Sequence, residues 1–90
     1  MPQAIVDPNE LRRFALTLKK FNNDLTERLG SLTTQLNDLS NTWRDQENIK
    51  FTEGFNAHIH TLQRFIEDNN AHIPYLLRKA ERIEEYLQQR

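Results

Sequence analysis

The sequence predicts an all-α fold, an antiparallel two-helix hairpin that dimerises into a four-helix bundle, and three observations predict it. Across ninety residues only two glycines and three prolines interrupt the chain, too few for a sheet with many turns. Apolar residues recur in steps of three and four over two long stretches, the period of a helix with one apolar face. Between the stretches lies Ser40-Asn41-Thr42 followed by Trp43-Arg44-Asp45, residue types that compete with a helix for backbone hydrogen bonds or cap a new one. The chain is expected to be a single domain, residues 1–90, with helix 1 over about 8–42, a corner at 43–45 and helix 2 over about 46–88.

Helix 1 has a well-marked start. Asp7 can cap it, Pro8 suits the first helical position, and Glu10 stands where a capping-box acid reaches back. Val6 and Leu11 are spaced as a hydrophobic staple. The stripe then runs Leu11, Phe14, Leu18, Phe21, Leu25, Leu29, Leu32, Leu36, Leu39 and Trp43. Its alternation breaks at Phe21, Leu25 and Leu29, two consecutive four-steps that act as a stutter and relax a left-handed supercoil.

At the corner, Asp45 is the favoured cap of helix 2, with Thr42 as an alternative start. Trp43 can seal the end of the hairpin, its ring buried and its indole N–H bonded to a carbonyl, or present an edge to a partner. Arg44 beside it reads as solvated or as part of a partner surface.

In helix 2 the stripe resumes with Phe51, Phe55, Ile59, Leu62 and Ile66, then Ile73, Leu76, Ala80, Ile83 and Leu87. Asn69 occupies a stripe position, where it either fixes register as a lone seam amide does or marks a break. Pro74 removes the bond to the carbonyl of Asn70 at a cost of ~3 kcal/mol, so a kink or short break is expected near 70–74. Folding about the corner at ~1.5 Å per residue sets Pro8 level with about Lys79, leaving roughly the last ten residues as an overhang. It also brings Gly30 and Gly54 within about one helical turn, where close helix approach could offset their helix-breaking cost of ~1 kcal/mol each.

One hairpin covers only one side of such a stripe, and Leu16, Phe65, Tyr75 and Leu77 widen the apolar surface further. Pairing two hairpins would bury it, so a homodimer is expected, or a heterodimer with a paralogue. The packing and dimer face is assigned to Leu11, Phe14, Leu18, Phe21, Leu25, Leu29, Leu32, Phe55, Ile59, Leu62, Ile66, Ile73, Leu76, Ile83 and Leu87.

Composition argues against several function classes. Without cysteine there is no disulfide framework and no thiolate nucleophile or zinc ligand. A formal charge of −1 with interleaved signs gives no basic field for nucleic acid. No stretch approaches the ~20 apolar residues of a membrane span, and Met1 to Val6 lacks a cleavable leader pattern. The expected location is therefore the cytoplasm, or outside the cell without a cleaved signal peptide. His58 and His60 point apart on a helix, and Asp68 four residues before His72 is as well explained by a surface ion pair. No metal, no cofactor and no enzymatic activity are expected from these residues.

The central Trp43-Arg44-Asp45 between matched stripes, in a cysteine-free chain, resembles the Trp-x-Gly superfamily of early-secreted-antigen-like helical hairpins associated with type VII export. The third position holds Asp where glycine is usual, and Lys50-Phe51 follows, which is similar to a divergent Trp-Arg-Asp branch. The resemblance implies a dimeric four-helix bundle and a role as a secretion substrate or its adaptor. The family's export signal, Tyr-x-x-x-Asp/Glu, is absent: Lys79 follows Tyr75 at that spacing, and Arg90 follows Tyr86. A cytosolic, chaperone-like helical adaptor unrelated to secretion is the rival reading.

Overall fold

The computed structural model describes residues 6–89. Two helices, α1 (Pro8–Ser40) and α2 (Gln46–Gln88), pack antiparallel into a rod of 69 × 20 × 16 Å. The fold is an all-α hairpin.

Asp7 caps α1 in extended backbone, its carboxylate accepting from the Asn9 N–H at 2.9 Å. Glu10 does not reach back to it but turns toward Arg13, 3.6 Å away. At the other end α1 closes without a left-handed residue: the N–H groups of Thr42 and Trp43 both bond to the Leu39 carbonyl. Asp45 then caps α2 in extended backbone and accepts from the Asn48 N–H at 3.1 Å.

The residues turned inward form two seams. On α2 the seam runs Asn48, Thr52, Phe55, Ile59, Leu62, Ile66, Asn69, Ile73, Leu76, Ala80, Ile83 and Leu87, alternating four and three without a slip. That is the heptad pattern of a coiled coil, held over the whole helix. On α1 the seam is Leu11, Ala15, Leu18, Asn22, Leu25, Leu29, Thr33, Leu36 and Ser40. The two four-steps from Leu25 to Thr33 rotate it partway round the helix. Leu32 and Leu39, which continue the three-four count, are thereby carried out of the seam and left 47% and 48% exposed.

Three expectations change here. The stripe of α1 divides: Leu11, Leu18, Leu25, Leu29 and Leu36 face α2, while Phe14, Phe21 and Leu32 do not. Alternate stripe positions lie on opposite edges of an apolar face that is wider than one partner helix can cover. Of the kink or short break expected at 70–74, the break is not made: α2 is one uninterrupted helix through Pro74. The proline sits on the exposed side, away from the seam, so the unpaired Asn70 carbonyl can meet water. Gly30 and Gly54 do not mark a close approach, since a Cβ at either would meet nothing within 4 Å.

Asn22 sets the register. It is 1% exposed, donates to Asn70 Oδ1 at 2.8 Å and accepts from Asn69 Nδ2 at 3.2 Å. Burial of an amide is tolerable only with its bonds made, so a slip by one heptad would leave the Asn22 amide buried without its partners. Asn69 therefore belongs to the seam rather than to a break. At equal rise per residue, this register brings Pro8 level with about Ile83, so the overhang of α2 is shorter than ten residues.

Candidate interaction surface

The seam has two flanks, and they differ in chemistry. One is marked by Arg12, which follows Leu11, and Glu84, which follows Ile83. Their side chains form a bidentate pair at 2.7 and 3.1 Å across the helices. Hydrogen bonding from Arg12 holds the Glu84 carboxyl below its ordinary range, against a smaller opposing effect of desolvation. The same hydrogen bond raises Arg12 above its usual value.

At roughly 100° per residue, the opposite flank holds the residues one place before Ala15, Asn22, Thr52 and Ile66. These are Phe14, Phe21, Phe51 and Phe65, between 47% and 55% exposed. The rotated seam adds Leu32 and Leu39 to the same side. Reading the antiparallel register across, Leu39 lies level with Phe51, Leu32 with His58, and Phe21 with the turn between Phe65 and His72. An apolar band, interrupted by Arg28, His58 and His72, thus runs along much of one side of the rod. Of the residues assigned from sequence to the packing and dimer face, Phe14, Phe21 and Leu32 lie on this flank. Phe55, Ile59, Ile66, Ile73, Leu76 and Ile83 lie in the seam, and Leu62 and Leu87 at its edge, each 37% exposed.

The flank ends differently at the two ends of the rod. At the open end, Val6, Tyr75, Arg78, Lys79, Arg82, Ile83 and Tyr86 line an open groove of about 670 Å³. At the corner, Asp45, Gln46, Glu47 and Lys50 line a smaller and more polar hollow.

The corner motif is placed by a residue that the sequence reading did not single out. Asn48, 9% exposed, donates through Nδ2 to the Trp43 carbonyl, while its Oδ1 accepts from Thr52 at 3.0 Å and Ser40 at 3.4 Å. It ties the end of α1, the loop and the start of α2 together. A seam position filled by Asn three residues after a capping Asp was the available signal. Trp43 is half-buried, with its ring 5.8 Å from Phe51, which in turn stacks on Phe55 at 5.9 Å. The tryptophan is thus the corner end of the aromatic flank as well as a partial plug. Arg44 donates from Nε to the Asn41 carbonyl at 2.9 Å, bracing the loop from outside. Every described residue of the corner has negative φ, so no left-handed turn requires a glycine at the position of Asp45.

His58 and His72 stand on the apolar flank, one place before seam residues Ile59 and Ile73, whereas His60 lies on the other side. Among the described residues no three His, Asp or Glu side chains come together in a way that could hold a metal ion. No helix among them is long and apolar enough to cross a membrane. Compared with family models, curated proteins and solved structures, the chain matches none.

Proposed function

We propose that this chain is a non-enzymatic interaction protein that works as a dimer of hairpins, of the Trp-x-Gly type, serving a type VII-like export system as substrate or adaptor. The observation that carries the reading is the unpartnered flank of Phe14, Phe21, Leu32, Leu39, Phe51 and Phe65. Its scale supports a helical partner. The chain exposes 7322 Å², whereas a compact monomer of 10.8 kDa exposes about 5,500 Å². The excess of roughly 1,800 Å² is of the order that one subunit buries in an obligate dimer. Docking would lay the apolar side of one hairpin on another, the geometry of a four-helix bundle.

Sedimentation of the purified chain at micromolar concentration tests this directly. A dimer is expected, converted to a helical monomer by Phe21→Ser with Phe65→Ser. A well-folded wild-type monomer at tens of micromolar would falsify the self-pairing form of the proposal.

One observation favours the adaptor reading over the substrate reading. The tyrosines that could begin an export signal, Tyr75 and Tyr86, are followed at the signal spacing by Lys79 and Arg90 instead of an acid. Fractionation of cells carrying an active export system separates the two: an adaptor stays with the cells, and a substrate appears in the medium.

A further inference from the structure

We infer that the groove at the open end of the rod docks an acidic, amphipathic helical segment of a partner protein. This rests on the reading above, that the flank accepts a helix, and adds the chemistry of what passes over its open end.

Three observations point to acid. Arg78, Lys79 and Arg82 all line the groove, and among the described residues no carboxylate lines it. The ion pairs among the described residues are Arg12 with Glu84 and Arg13 with Glu10, so none of the three groove cations is neutralised there. Glu84, the nearest acid in sequence to Ile83, is held on the opposite flank by Arg12. Lys79 and Arg82 therefore lie on the side of α2 away from Glu84, although the whole chain carries a net charge of only −1.

Two further observations point to a helix rather than a lone anion. Val6 and Ile83 supply aliphatic surface to the groove. Tyr75 and Tyr86 stand 54% and 62% exposed beside them, offering ring faces to apolar side chains and hydroxyls to carboxylates. Lys79 and Tyr86 are also the continuation of the Phe51, His58, Phe65, His72 line at seven-residue spacing. An apolar helix seated on the flank therefore runs on into the groove, where acidic residues along its edges would meet the cations.

The test uses the full chain and a labelled synthetic peptide of about four helical turns, leucine on one face and glutamate on its edges, followed by fluorescence anisotropy. Saturable binding is expected, weakening as salt rises, and about tenfold weaker for a peptide with glutamine in place of glutamate. The variant Arg78→Gln/Lys79→Gln/Arg82→Gln should lose the glutamate preference while keeping the helix content and the sedimentation behaviour of the wild type. Equal affinity for the two peptides overturns the inference, as does a glutamate preference that survives in the triple variant. So does tighter binding to vesicles of anionic lipid than to the peptide, which would make the groove a membrane contact. Loss of self-association in the triple variant would instead assign the groove to a second copy. Because the flank reading is tested separately by Phe21→Ser with Phe65→Ser, its failure is distinguishable from failure of the groove inference that rests on it.

Discussion

Leu29 and Phe21 belong to the same three-four stripe of α1, yet one is 6% exposed and the other 49%. The difference is the difference between the seam and the flank. Leu29 meets α2 because two consecutive four-steps centre it on the interhelical axis. Phe21 sits one place before Asn22, on the side that a single neighbouring helix leaves open. Amphipathicity thus built a face about two helices wide, and the hairpin covers half of it. The covered half holds the fold, and the open half is what remains available for binding.

Substitutions separate the halves, and the largest effect belongs to the seam. Leu36→Ala should destabilise the hairpin by about 2–4 kcal/mol through lost burial and a residual cavity, read as a shift in urea midpoint. An unchanged midpoint would mean that this stretch of the seam is not closed. Next comes Asn48→Ala, expected to cost about 1–3 kcal/mol because it strands the Trp43 carbonyl and removes the acceptor of Thr52 and Ser40. Trp43→Ala should fall near 2 kcal/mol, between the values of a sealed plug and a free ring, since the side chain is half-buried against Phe51.

Flank substitutions should behave in the opposite way. Phe21→Ala should change the stability of the isolated hairpin by about 1 kcal/mol or less, while raising the dissociation constant of the proposed dimer at least about tenfold. A loss of folding as large as that of Leu36→Ala would show that the flank is part of the hairpin core.

The smallest effect concerns the flank opposite. Glu84 is held below its ordinary range, so it binds its proton less readily in the folded chain than in the unfolded one. Its stabilising contribution is complete above the unfolded glutamate range and disappears as pH falls through the folded value. Acid titration of Arg12→Ala should therefore lack a small component of the acid destabilisation that the wild type shows. Identical acid profiles would reduce the pair to a surface contact without consequence.

How much of this was legible in the sequence depends on the kind of residue. The capping roles of Asp7 and Asp45 are local, set within three residues of backbone, and both could be read directly. The stripe of α2 was nearly complete from spacing alone, because its heptads do not slip. In α1 the apolar count led through Leu32 and Leu39, whereas the seam passes through Thr33 and Ser40. A threonine and a serine can occupy seam positions near the corner, so hydrophobicity misidentified the inward side there. Asn22 and Asn48 were missed for a related reason: a buried amide is favourable only when its partners are in place, and those partners come from the other helix or across the loop. Local cost at Pro74 predicts a kink or a short break, and the break is not made because the packing of α2 on both sides of it carries the helix through.

The sequence by itself determined two amphipathic helices, their caps, the corner between them and the surplus of apolar surface. Each of these follows from residue type and spacing over a few turns. Only the tertiary structure decided which edge of the stripe closes, because that choice rests on the register fixed by Asn22 with Asn69 and Asn70 and on the rotation of the α1 seam. It also decided which side the charges take. Arg12 reaches Glu84 across one flank, and that same arrangement leaves the phenylalanines and the cations of the open-end groove on the other.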